Sequence, residues 1–173
     1  MKKSLIAVAL LAGSAFVGVA NAADGTINFT GKVTADACTV TPGTGTQTVS
    51  LGSVSSTALA AVGNSAAPTK FDVTLASCPA AATSATVKFD GPADTKDSRL
   101  LKLTTATGVA TGVGIGLYEQ DASTLIPVGS SSASKTLSST ANTTFSFVAK
   151  YVATAAVTAG SANAVSDFTV IYN

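Results

Sequence analysis

The segment Asp24 to Val33, DGTINFTGKV, constrains the fold of this chain more than any other. It alternates with the period of a half-buried strand. Ile27, Phe29, Gly31 and Val33 fall on one face; Asn28, Thr30 and Lys32 fall on the other. It follows what reads as an export signal and precedes the first of only two cysteines. An apolar strand face at the start of a mature chain has to be buried, either in its own molecule or in a neighbour's.

The export signal has three parts. Lys2 and Lys3 supply positive charge, Leu5 to Ala12 is an unbroken apolar run, and Ala20-Asn21-Ala22 fits the small-x-small cleavage rule. Cleavage is expected between Ala22 and Ala23. A membrane anchor is the competing reading. The stretch Leu5 to Ala20 is shorter than the roughly 20 residues a spanning helix needs, and Gly13 and Ser14 interrupt it. The expected organisation is a signal over residues 1–22, an N-terminal extension over 23–35, and one domain over 36–173. About 150 mature residues suffice for one domain with a workable core. Without Lys2 and Lys3, eight basic residues face nine acidic ones. That balance offers no basic patch for nucleic acid and no acidic tail.

Cys38 and Cys78 are the only cysteines, and in an exported chain an isolated pair reads as a disulfide. The closed loop of about 40 residues is worth about 4 kcal/mol in the chain-entropy model. Ala, Ser, Thr, Gly and Val dominate the rest, a composition suited to short strands and small-residue turns. Strand patterns occur at Ile27–Val33, Gln47–Leu51, Lys70–Leu75, Thr86–Phe89, Leu100–Leu103, Val113–Leu117, Thr144–Ala153 and Ser166–Tyr172. Ala58 to Ala67 has room for a turn of helix, but Gly63, Asn64 and Pro68 oppose a longer one. Many short strands with turn signals between them predict a β-sandwich.

Chemistry is hard to place on this chain. It has no histidine, which excludes Ser-His-Asp and Cys-His arrangements, so no catalytic residues are assigned. Two cysteines without histidine cannot complete a tetrahedral zinc shell. Asp90, Asp94 and Asp97 are the one acidic cluster. Their spacing fits no standard calcium loop, and a solvated turn is the expectation, with no metal. Gly112-Val113-Gly114-Ile115-Gly116 lacks the spacing and following helix of a phosphate loop and reads as a strand. No cofactor is expected. Asn28-Phe29-Thr30 and Asn142-Thr143-Thr144 match the glycosylation tripeptide, a pattern frequent by chance.

Several further features occur together and in order. Gly31 sits within the first strand, which leads into Ala37-Cys38-Thr39-Val40. The second cysteine lies in Ser77-Cys78-Pro79. A late strand reads Phe147-Val148-Ala149-Lys150-Tyr151, the loop Val157 to Ala164 follows, and the chain ends Phe168-Thr169-Val170-Ile171-Tyr172-Asn173. In these features the mature chain resembles the fimbrial (pilus) subunits of the chaperone–usher class, near the type 1 major pilins. The resemblance implies an all-β fold: an incomplete immunoglobulin-like β-sandwich that lacks its last strand and carries an N-terminal donor-strand extension. It implies polymerisation by donor-strand exchange, a form of β-augmentation. The partners implied are other copies of this chain and other fimbrial subunits, a periplasmic chaperone and an outer-membrane usher. Ile27, Phe29, Gly31 and Val33 match the donor segment. Phe168, Val170 and Tyr172 match the C-terminal strand that lines the acceptor groove and meets the chaperone. Tyr172 and Asn173 match the terminus that the chaperone anchors. Phe145 and Phe147 are expected to be ordinary core. A shaft subunit, a minor adaptor or tip subunit, and a self-contained secreted immunoglobulin-like binding module all remain compatible with the residues. Length disfavours a two-domain tip adhesin, and the donor segment disfavours a chain terminator.

Overall fold

The computed structural model describes residues 27–31, 37–41 and 47–173. Ala22, Ala23, Lys32 and Val33, with the expected signal, lie outside the described residues. The chain falls into two units, Met1–Val33 and Thr34–Asn173. Of the first, residues 27–31 form no regular ladder, and Ile27 and Phe29 are 79% and 92% exposed. The alternating pattern there predicts a strand, but a strand needs a neighbour to bond to.

The second unit contains eight strands among its described residues. They are β1 (Thr39–Thr41), β2 (Ser65–Ala76), β3 (Ser84–Asp90), β4 (Val113–Glu119), β5 (Leu125–Ile126), β6 (Lys135–Thr136), β7 (Thr143–Ala153) and β8 (Asp167–Tyr172). One sheet runs β1-β2-β7-β4-β5 and the other β6-β3-β8, with every named pairing antiparallel. The core lies between them. Alternation in β3 sends Ala85, Val87 and Phe89 inward, and β7 does the same with Phe145, Phe147 and Tyr151. Phe71 of β2 stands opposite Phe147 of β7. The Phe89 ring meets Phe147 edge-on at 5.0 Å and Phe71 at 6.0 Å, joining the two sheets. Phe145 and Phe147 are core, as expected. The Cys38–Cys78 disulfide forms, and it closes the end of the β1–β2 ladder beyond Thr39 and Ala76.

Three expectations are revised. Gln47–Leu51 has strand-like alternation but no ladder partner. Leu100–Leu103 is no strand: Leu101 alone makes single bridges, to Ala93 and to Ile115. Leu100, Leu101 and Leu103 are buried and Lys102 is exposed, so the apolar run packs as a loop without a ladder of its own. The helical turn falls earlier than expected, as a 3-10 turn at Ser56–Leu59 with the Ser55 hydroxyl accepting from the Thr57 N–H. Ser65 to Ala67 already belongs to β2. The short strands β1, β5 and β6 escape sequence reading because two or three residues hold no period.

β4 carries a further surprise. Alternation makes its glycines spacers between inward side chains, yet Gly114 and Gly116 are buried too. The Leu100 side chain lies over Gly114, and the Tyr118 ring folds across Gly116. Lys150 then places its ammonium 3.9 Å from the centre of the Tyr118 ring. The glycines are therefore seats for neighbouring side chains on the outer face.

Candidate functional site: the open edge of the last strand

β8 ends its sheet. It bonds β3 on one side and, among the described residues, has no strand on the other. Asn173 and Ser84 exchange backbone hydrogen bonds at 2.9 and 3.2 Å. Counting back from that pair through the register, Ile171, Thr169 and Asp167 turn their N–H and C=O groups toward β3. Phe168, Val170 and Tyr172 turn theirs to the open side. The same three residues send their side chains toward the core and stay half-buried. The strand thus presents both unmet hydrogen-bonding groups and incompletely covered apolar side chains.

Residues 47–54 line the other side of the gap. No backbone bond among the described residues ties this stretch to a ladder. Val49 and Leu51 face Ala164, Ser166 and Phe168 across a cavity of about 180 Å³. Its floor is apolar, with Phe71 and Val73 from β2 and Ile115 and Leu117 from β4. A larger cavity of about 790 Å³ continues along Gln47–Ser53 and Ala162–Asp167. At its far end the Tyr151 hydroxyl donates to the Gly52 carbonyl at 3.3 Å. The sandwich therefore has two walls and a floor where a further strand would complete it.

Phe168, Val170 and Tyr172 are brought together here, as the sequence leads one to expect. Tyr172 is held from the other side, where its hydroxyl accepts from the Cys38 N–H at 3.2 Å. Asn173 is different. Its N–H donates to Ser84, and its carbonyl accepts from the N–H groups of Thr83 and Ser84 and the Thr83 hydroxyl. Its backbone is committed to the domain's own sheet. Of the donor residues, Ile27 and Phe29 are exposed and a side chain on Gly31 would touch nothing; Val33 lies outside the described residues. Sequence reasoning misses the opposite wall as a wall. The signal is present, since Val49 and Leu51 alternate, but it suggests a paired strand.

No other constellation competes. Among the described residues no three His, Cys, Asp or Glu side chains gather as a metal site. The acidic cluster is absorbed by local contacts. Asp90 pairs with Lys88 at 2.8 Å, Asp94 accepts from the Lys96 and Asp97 N–H groups, and Asp97 takes Arg99 in a two-pronged pair. No helix of the described residues is long and apolar enough to cross a membrane.

The sequence and fold have clear relatives. The family model described as Fimbrial protein matches residues 27–173. Long polar fimbria protein A of Salmonella typhimurium is 37% identical, over 99% of this chain and 97% of its own length. The type-1 fimbrial protein A chain of Escherichia coli K12 is 34% identical, over 97% and 94%. A Burkholderia pseudomallei antigen and type I fimbria protein of known structure is 37% identical, with a TM-score of 0.61 over 86% of this chain and 97% of its own. The P pilus rod subunit PapA shares the fold at 22% identity, with a TM-score of 0.67 over 80% of this chain and all of its own. With its open-edged sandwich and these relatives, the chain belongs to the fimbrial protein family and is a structural subunit of a surface fimbria, not an enzyme.

Proposed function

We propose that this subunit forms a fimbrial shaft by donor-strand exchange. The Ile27–Val33 segment of one copy enters the gap between β8 and residues 47–51 of the next. The observation that carries the reading is the open edge of β8, where Phe168, Val170 and Tyr172 turn backbone groups away from β3 toward a side with no strand among the described residues, and stay only half-buried. Ile27 and Phe29 on the same chain are apolar and exposed. Each defect is the other's remedy: the inserted strand completes the ladder and its side chains complete the core. Burying Ile27, Phe29 and Val33 contributes on the order of 5–8 kcal/mol, at about 1.5–3 each. No covalent bond forms.

Before assembly the exposed edge is an aggregation hazard. A periplasmic chaperone that lends a strand to β8 would remove it, and an outer-membrane usher would be the place where the lent strand is replaced. The chaperone's ladder contacts are assigned to Phe168, Val170 and Tyr172, whose backbone groups face the open side, with Tyr172 and Asn173 as the terminus it anchors.

Deletion of residues 23–33 from the mature chain tests this. The truncated subunit should bind chaperone and cap a fibre but never occupy its interior. Immunogold labelling of mixed fibres decides it: truncated subunits found along the shaft would sink the reading. Abundant long fibres made chiefly of the intact chain would identify the shaft role over a minor adaptor role.

A further inference from the structure

Two uncharged features sit at opposite ends of the sandwich. One is a cavity of about 350 Å³ lined by Val54, Leu59, Val113, Tyr151 and Val157 among others, with no charged residue in its wall. The segments around it, 52–64, 104–112 and 154–165, carry no charged side chain, whereas 90–102 carry six. Its rim is tied down. The Ala110 N–H donates to the Ser161 carbonyl and the Ser161 N–H to the Gly108 carbonyl, each at 2.9 Å, and the Thr111 and Thr158 hydroxyls meet at 2.9 Å. A Cβ on Gly160 would lie 2.4 Å from the Ala110 nitrogen, so glycine is what lets the two loops touch. A cavity held open in advance loses little freedom when it is filled.

The other feature is a knob. The turn Pro79–Ala82 is closed by the Ala82 N–H on the Pro79 carbonyl at 3.0 Å, and Ala80 and Ala81 at its tip are exposed. It follows Cys78 directly, so the disulfide anchors it to Cys38. No residue from Val73 to Val87 is charged. β2 runs between knob and cavity. Ser65 and Ala66 pair with Val152 and Tyr151 beside the cavity, and Ala76 leads into the turn. The 12 residues of β2 set the two roughly 35 Å apart.

We infer that the Pro79–Ala82 turn of one copy seats in this cavity of the next, as a second contact beside the exchanged strand. The inference rests on the proposed donor-strand reading. Three observations choose a second copy as the occupant. The cavity is continuous with the groove: it shares Gly52, Ser53, Tyr151, Ala162 and Asn163 with the larger cavity along β8. The knob also travels with the N-terminal segment, since the chain from Gly31 to Cys38 reaches at most about 25 Å. A strand held in the groove keeps its own copy's turn near the cavity at high effective concentration, so a contact through a few small side chains suffices. Finally, both surfaces are uncharged, and neither leaves an unpaired charge in the junction. Complementary patches at opposite ends of one molecule join head to tail and build an open filament.

Cross-linking of fibres of the full chain tests the seat. A short bismaleimide should join Ala81→Cys of one copy to Ala159→Cys of the next and give a ladder on denaturing gels. Ala81→Cys with Ala141→Cys should give none, because Ala141 lies just before β7 begins opposite Leu75, at the same end as the turn. Absence of the first ladder, or presence of the second, overturns the seat. Ala81→Lys adds a charge at an exposed position, so the isolated subunit should melt at the wild-type temperature. Its fibres should dissociate in denaturant about tenfold faster, because seating now buries that charge. A synthetic peptide of residues 24–33 carries the strand without the turn and should leave the same subunit at the wild-type rate. Fibres that dissociate no faster, or a peptide that also leaves faster, overturn the seat while strand exchange still stands. A wild-type subunit that takes up no peptide overturns strand exchange itself.

Discussion

Phe147 and Phe168 are both inward-facing aromatics, but they differ in what covers them. Phe147 is 1% exposed, packed between Phe71 and Phe89. Phe147→Ala should destabilise the isolated subunit by about 3–5 kcal/mol in urea unfolding, as for other buried aromatics. Phe168→Ala should cost the isolated subunit much less, because the residue is only half-buried there. In fibres the gap should narrow, since on the proposed reading a neighbour's strand completes Phe168's surroundings; equal losses in the isolated subunit would contradict the open groove. Gly112 is a second sensitive residue. Its φ is +70°, and a Cβ would lie 2.3 Å from the Ala156 carbonyl oxygen. Gly112→Ala should lose more than the about 1–3 kcal/mol of a strained backbone alone, read as a fall in the urea midpoint.

Titration also belongs to single residues. Thr124 and Ser123 hydrogen-bond the Asp121 carboxylate and hold its pKa far below the usual range; Arg99 does the same, more modestly, for Asp97. Both native pKa values are depressed, so their stabilisation is present above about pH 4 and is lost as pH falls through the lowered values. Burial raises the pKa values of Tyr118 and Tyr151, which favours the folded state below about pH 10 and is lost above it. With no histidine to titrate between them, the melting temperature should be flat from about pH 5 to 9. A steep change near pH 6.5 would contradict this assignment.

At the scale of the element, β8 divides its backbone between two partners. Val170→Pro removes an N–H aimed at the open side, whereas Thr169→Pro removes one bonded to β3. The first should fold and fail to polymerise; the second should lose stability in the subunit itself. Circular dichroism melts combined with fibre counts separate the two. The disulfide acts at the other end of the β1–β2 ladder. Replacing Cys38 and Cys78 by serine should cost about 2–5 kcal/mol of subunit stability, measured by denaturant unfolding. Long strands such as β2, β3 and β7 are legible in sequence because a two-residue period sustained over many positions marks one face for burial. β5 and β6 are not legible, being held by register with β4 and β3 rather than by their own pattern.

Over the whole molecule, a sandwich open along one edge cannot reach full stability alone. Fibres of this chain should therefore resist denaturant that unfolds isolated subunits, by a margin reflecting the burial of Ile27, Phe29 and Val33. The sequence alone determined that the chain is exported, that its core is built from alternating strands, and that it has no histidine for acid–base catalysis. It also showed an apolar-faced N-terminal segment and an apolar last strand, because a two-residue period reveals which face must be buried. Only the tertiary structure decided which backbone groups of β8 are unmet, that residues 47–51 form a wall and not a paired strand, and that Asn173 is already bonded at home. Those facts depend on pairing between residues far apart in the chain, such as Ser84 with Asn173. No local pattern encodes such pairing.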